Sequence, residues 1–341
     1  MPVTESGNTY SAFIAKVYGE LKRSLLKGLE FINWKEHVKN DSVVFVKPNF
    51  TFPRYKEGIT TTPEFLKCLF EIIKNRSSNV IVGESDGGNH SFKAEEAFRG
   101  HGMQEICKEV GVELVNLSNL PSKFVESEIQ SKKVKVQLPK MLLEDVDCFI
   151  SVPVLKVHVV TGVSLGLKNL WGCYPDTMRC LHHQNLNRKL ALMAKLLNPK
   201  ITVIDGFYAL DGHGPMFGDP LKMDLILASN NVVAADALGA AVMGVSLKRA
   251  KHIIIAEKEG IGTTNLEKVR VNTDWKQYGR QFQIRKTLLD RASGLLFHSD
   301  IIAKLVIASP FTPLVYKVAG TLRSSEEKTI ASQLNTRQYY M

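Results

Sequence analysis

The chain has no CxxC pair, and its cysteine count is odd: Cys68, Cys107, Cys148, Cys173 and Cys180. A disulfide framework is therefore not expected, and a reducing compartment is. Without close cysteine spacing, an in-chain iron–sulfur cluster is not expected either. No apolar run reaches the roughly 18–20 residues that cross a bilayer, so no transmembrane segment is predicted. The opening stretch, MPVTESGNTYSAF, lacks the basic-then-apolar pattern of a signal peptide. These absences predict a cytoplasmic protein. No GxGxxG follows a predicted strand, and GxxxxGK[ST] and HExxH are missing, which disfavours standard dinucleotide, P-loop and zincin chemistry. Repeats and low-complexity tracts are also lacking. Acidic residues are in the minority, at 34 Asp and Glu against 44 Lys and Arg, for a net charge of +10. That balance favours anionic partners. The charge is diffuse, and the cations are tied to glycine loops rather than interleaved with aromatics on an open face, so nucleic acid is not the expected partner.

What is present reads as α/β. The 341 residues are 44% hydrophobic and 23% charged, an ordinary globular composition. Residues 10–31 carry apolar side chains at helical spacing. Residues 43–47 read as a buried strand, and Thr62-Pro63 opens a helix running to about Arg76, with Thr62 as N-cap. Residues 79–83 form a strand, 92–110 a helix and 112–116 a strand. Further strands are predicted at 147–152, 201–205 and 224–228, and helices at about 186–197 and 231–243. This order predicts a mostly parallel or mixed sheet flanked by helices, with ligand loops at the strand C-terminal ends. The predicted division is an α/β domain over 1–265, with a subdomain split near 120–145, and a helical C-terminal extension over 266–341. The apolar segments of that extension, interrupted by Pro310 and Pro313, predict a docking tail or an oligomer contact in preference to interfacial membrane contact.

Four predicted strands run into polar or glycine-rich segments. Lys47-Pro48-Asn49 leads to a threonine run containing Thr61 and Thr62, whose hydroxyls and N–H groups suit an anion as well as a helix cap. Gly83 to His90 (GESDGGNH) places Glu84 and Asp86 after a strand, as metal ligands or a base, or as plain turn residues. The stretch from Lys156 to His183 is the richest. Lys156 and His158 lie two apart and share a face if extended. Lys168, Asn169, Arg179, His182 and His183 follow, with Asp176 the only acid. This pattern predicts an anion pocket with a proton carrier. Asp205 ends a predicted strand, and Gly-His-Gly-Pro exposes His213 in a tight loop or merely builds the turn. Asp236 lies among small helical residues, where a carboxylate needs a partner, and bracing a neighbouring loop is its expected role. Gly162 to Gly166 matches GxSxG, but a glycine loop presenting Lys168 is the preferred reading over a nucleophilic Ser164.

The run KPN, GITTTP, GESDGG, PVLKVH, VSLGLKNLWGCYPD, IDG, GHGP and AADALG resembles the domain-of-unknown-function 362 family over roughly residues 40 to 260. Members are often described as iron–sulfur cluster-binding because many carry a ferredoxin-like segment with CxxCxxCxxxCP. This sequence has no such segment, so a redox role would draw on a separate ferredoxin-like electron donor. The expected function is that of an enzyme, a reductase or isomerase, acting on a carboxylate- or phosphate-bearing metabolite. Lys156, His158 and His183 are the candidate catalytic residues. Lys47, Asn49, Thr61, Lys168, Asn169, Arg179 and His213 are the candidate substrate contacts, and Glu84, Asp86 and Asp205 a candidate divalent-metal set. The alternatives are a non-catalytic binding protein for an anionic ligand or nucleic acid, and an assembly partner.

Overall fold

The computed structural model describes residues 10–288, 290, 299–307, 321 and 325–334. The chain opens with β1 (Tyr10–Lys16) and α1 (Leu21–Phe31). An alternating stretch follows: β2 (Val44–Lys47), α2 (Pro63–Lys74), β3 (Val80–Glu84), α3 (Ala94–Gly100), α4 (Met103–Val110) and β4 (Glu113–Asn116). β5 (Ser122–Ile129) and β6 (Lys132–Pro139) form a separate hairpin. Next come α5 (Lys140–Glu144), β7 (Cys148–Ser151), β8 (Val154–His158), β9 (Gly162–Ser164), α6 (Gly166–Asn169) and α7 (Leu186–Leu197). β10 (Ile201–Asp211), β11 (Asp219–Ser229), α8 (Val232–Val242), α9 (Lys251–Lys258) and β12 (Val269–Val271) complete the main body. Beyond it lie α10 (Asp300–Ile307) and α11 (Ser325–Ser332).

The main sheet runs β12-β1-β11-β10-β7-β2-β3-β4, with β8 pairing β10 and β9. From β10 to β4 every neighbour is parallel, whereas β11 is antiparallel to β1 and β10. The sheet is thus mixed and mostly parallel, with helices on both faces. Side-chain alternation explains the layering, because successive strand residues point to opposite faces. Val44 and Val46 face the core under α1, α2 and α4, while Phe45 faces the other core, with α7 and α8. Ile226 and Ala228 join the first core, Leu225 and Leu227 the second. Burying each of these valine, isoleucine, leucine and phenylalanine side chains contributes about 1.5–3 kcal/mol.

Several predicted elements differ in the structure. Residues 10–31 are a strand and a helix rather than one helix. Gly19, at φ +89°, separates them, and β1 is held by its backbone pairing to β11. Residues 92–110 are two helices, because Gly102 adopts φ +65°, a left-handed conformation that stops the first. The predicted strands at 201–205 and 224–228 extend to eleven residues each and pair as a long hairpin. The sheet continues past residue 265, since β12 pairs with β1 and Gly212 bridges to Ile284. The proposed split near 120–145 coincides with the β5–β6 hairpin, whose Ile129, Val134, Val136 and Leu138 join the main core. The apolar stretches 293–297 and 308–320 lie outside the described residues. Among the described residues, no helix is long and apolar enough to cross a membrane.

Candidate functional site

The C-terminal ends of the parallel strands converge on one cavity of 360 Å³. β2 ends at Lys47 and β3 at Glu84. Lys47 Nζ lies 2.6 Å from Glu84 Oε2 and donates to the Pro48 carbonyl at 2.7 Å. Glu84 also accepts from the N–H groups of Phe50 (3.0 Å) and Ser85 (3.1 Å). Both side chains are almost fully buried, so the pair neutralises itself inside the wall. Gly172 is required beside it: a Cβ there would stand 2.7 Å from Glu84 Oε1 and 2.8 Å from Lys47 Nζ.

β8 supplies Lys156 and His158, two residues apart and both on the cavity wall. Lys156 is completely buried, and its Nζ donates to Asn49 Oδ1 (3.0 Å) and the Ile59 carbonyl (2.6 Å), both neutral acceptors. Burial, then the charge of Lys168, holds this amine well below the usual lysine range. His158 Nδ1 accepts from the Val160 N–H at 3.0 Å. Burial and the neighbouring lysines hold its ring well below the usual range, so it is neutral. With Nδ1 accepting, the ring proton resides on Nε2. His183 is likewise neutral, pushed down to about 3 by burial and by Lys168.

α6 carries Lys168 and Asn169. Its first turn is pinned by fully buried Asp236, whose carboxylate accepts from the N–H groups of Gly166 (2.6 Å) and Leu167 (2.9 Å). This is the bracing role expected of Asp236. Asn169 donates to the Lys47 carbonyl and to Ser151 Oγ and accepts from Asn49 Nδ2, fixing α6 against β2 and β7. Lys168 makes no hydrogen bond or ion pair among the described residues. Burial, with Arg179 and Lys47 nearby, brings its amine down to about 8. Arg179 reaches in from a 3-10 turn (Arg179–His182) and donates to the carbonyls of Asp86 and Asp176, not to a carboxylate. Two further wall groups, Ser85 Oγ and Trp171 Nε1, are buried without a hydrogen bond among the described residues.

Nine of the thirteen candidates line this cavity: Lys47, Asn49, Glu84, Lys156, His158, Lys168, Asn169, Arg179 and His183. Thr61, Asp86, Asp205 and His213 do not. Thr61 Oγ1 ties Asn49 N–H to the Val152 carbonyl. Asp86 accepts from Ala94 N–H, Asn116 Nδ2 and Lys93 Nζ, which spends both oxygens on the start of α3 and its surroundings. Asp205 accepts from the N–H groups of Thr62 (2.7 Å) and Phe207 (3.1 Å), and so meets the start of α2. Glu84, Asp86 and Asp205 are therefore not a shared ligand set, and among the described residues no group of three His, Cys, Asp or Glu is placed to hold a metal. The cysteines do not fit an iron–sulfur cluster either. Cys68 lies on α2, Cys107 on α4 and Cys148 on β7, while Cys173 and Cys180 lie in the segment after α6. Burial raises every thiol to about 11 or 12. His213 sits behind the rim, its ring nitrogens 2.9 Å from Asp290 and 2.7 Å from Glu327.

The cavity's apolar side is not among the expectations drawn from the sequence. Phe50, Phe92, Trp171, Met216 and Phe217 line it, and so does Leu334, which arrives after α11. Met216 and Phe217 follow Gly-His-Gly-Pro directly, a signal that could have found them. Nothing local to Leu334 could have.

The chain is 24% identical over 238 residues to the thylakoid-associated protein sll1697 of Synechocystis sp., covering 67% of this chain and 72% of that one. The model of the domain of unknown function DUF362 matches residues 44–241, a span that runs from β2 to α8 and contains every polar wall residue described above, and the chain belongs to that family.

Proposed function

We propose that this protein is an enzyme that binds a small carboxylate- or phosphate-bearing metabolite in this cavity and moves a proton next to the bound anion, as an isomerase does. One observation carries the reading. Lys156, Lys168 and Arg179 share the cavity wall, and none has a carboxylate partner among the described residues. Buried cations are normally paired, so a wall of this kind suits an anion supplied from outside. The partnerless Ser85 Oγ and Trp171 Nε1 add donors for its oxygens. Fixed cations also stabilise negative charge that develops beside a carboxylate during proton removal. Neutral His158, with its proton on Nε2, serves as a hydrogen-bond donor to such an oxygen, while the Lys168 amine, near 8, is suited to carry the proton.

The free, mostly buried cysteines fit a reducing, cytoplasmic setting. The name of the cyanobacterial relative places that protein at a thylakoid, which is compatible with a peripheral location here.

The test is calorimetry at low salt with phosphate, oxalate and small hydroxy acids, followed by proton NMR of bound acids in heavy water. Saturable binding lost in Arg179→Ala, and exchange of a hydrogen next to the carboxylate, are expected. If no anion binds more tightly than chloride, the reading fails.

A further inference from the structure

We infer that Lys168 is a nucleophile, and that the ligand of this cavity is an anion that also carries an aldehyde or ketone, with which Lys168 forms a Schiff base. The inference rests on the anion-binding reading above and narrows its substrate class.

The side chains of the cavity divide by what they are already doing. Lys47 is spent on Glu84 at 2.6 Å. Lys156 is spent on Asn49 and the Ile59 carbonyl. Arg179 is fixed by main-chain carbonyls of Asp86 and Asp176. Of these cations lining the cavity, only the Lys168 amine has no partner among the described residues. An anchor for an anion does not need that freedom, but an attacking amine does, because its lone pair must be unshared and its approach unobstructed.

The surroundings favour the free-base form. Lys168 lies close enough to Arg179 and Lys47 for their charges to weigh on it, and it in turn depresses Lys156, His158 and His183. It stands at the centre of the cationic cluster, and an amine beside other cations in a desolvated site loses its proton readily. At about 8, roughly a tenth of it is free base at neutral pH, against well under a thousandth for an exposed lysine. Its position is fixed by the carboxylate of Asp236, which holds the N–H groups of Gly166 and Leu167 in the same turn of α6 as the lysine. Asp236 is thus a positioning residue.

In the step itself, the Nζ lone pair forms a C–N bond with the carbonyl carbon as the C=O π bond opens. The carbonyl oxygen then departs as water with the two hydrogens of the amine, leaving a C=N bond. No oxidant or reductant is consumed. Arg179 and the donors Ser85 Oγ and Trp171 Nε1 are available to the anionic group, and His158 Nε2–H to the departing oxygen.

The probe is pyridoxal 5′-phosphate, which joins an aldehyde, a planar ring and a phosphate. The full-length protein is incubated with it, reduced with borohydride and peptide-mapped, and phosphate binding is measured separately by calorimetry. We expect one dominant adduct, on Lys168, formed about tenfold or more faster than on exposed lysines and suppressed by inorganic phosphate. Lys168→Arg keeps the charge; it should abolish that adduct, retain phosphate binding and melt like the parent. Labels scattered over surface lysines, a dominant adduct on Lys47 or Lys156, or labelling unchanged in Lys168→Arg would overturn the inference. If phosphate binds and Lys168 stays unlabelled, the nucleophile is refuted and the anion site stands. If phosphate does not bind either, both fail.

Discussion

Replacing Asp236 with alanine isolates the device that holds Lys168 in place. The carboxylate is fully buried and accepts two backbone N–H bonds, at 2.6 and 2.9 Å, from the start of α6. Removing it leaves two buried donors, that of Gly166 beside the Val232 and Thr202 side chains. Each orphaned donor costs about 1–3 kcal/mol. Burial raises the carboxyl to about 7, so the group is partly protonated at neutral pH and the lower part of that range applies. The expected loss is about 2–4 kcal/mol, or about 3–6 °C in melting temperature for a chain of this size. Asp236→Asn keeps one acceptor and should lose about half as much. The pH dependence has a definite sign. The folded value lies above the unfolded one, so the native state holds the proton more tightly and this group's contribution declines as pH rises from about 4 through 7. The Asp236→Ala deficit should shrink over that window, as read by urea unfolding at a series of pH values. Phosphate affinity should also fall, because α6 carries Lys168 and Asn169. A variant that melts within a degree of the parent at every pH would refute the capping argument, and with it the claim that Asp236 positions the lysine.

Glu84→Gln leaves Lys47 buried beside a neutral amide and should cost about 3–5 kcal/mol in urea unfolding, whereas a loss below about 1 kcal/mol would mean the pair is not needed. His213→Ala should expose the segment carrying Asp290 and Glu327 to limited proteolysis, since the ring bonds to both. The Asp290 hydrogen bond raises the His213 value, so this tie is complete below about 6.5 and lost as pH rises through the elevated value. The parent protein should accordingly become more sensitive to protease in alkaline buffer, and a pH-independent cleavage rate would count against the tie.

The parallel half of the fold was legible because its strands are short apolar runs separated by helical spacing and turn residues. β1 was not. Tyr10, Phe13, Ile14 and Val17 fall at helical intervals as readily as on a strand, and what decides the matter is pairing with β11, more than two hundred residues away. The β5–β6 hairpin did carry a signal, since Val134, Val136 and Leu138 alternate with Lys133, Lys135 and Gln137. The rule that ligands gather at strand ends found most of the polar wall. It failed at Asp86 and Asp205 for one physical reason: a carboxylate at a strand end can face a ligand or meet the start of a neighbouring helix, and both choices use the same residue in the same loop. His213 failed differently, because its partners Asp290 and Glu327 come from the far end of the chain.

The polar wall runs against the usual economy of a protein interior. Keeping an amine at Lys168 and donors at Ser85 and Trp171 that have no partner among the described residues costs stability that a few apolar substitutions would recover. Nothing in the sheet requires it, since Asp236 and Asn169 hold α6 without help from Lys168. The neighbouring Lys47–Glu84 pair shows how the same wall handles a cation when the fold alone is at stake: it is matched at 2.6 Å and sealed. On the proposed reading, these two treatments of lysine within one cavity separate structural charge from charge held for a ligand. A ligand that completes the second kind offsets its cost by mass action, about 2.7 kcal/mol at a hundredfold excess over Kd, which is comparable to the loss of one buried cap. Leu334 and the aromatic wall then have a definite task. On the proposed reading they would exclude water over a bound anion, and in a drier cavity each fixed cation would act on it more strongly.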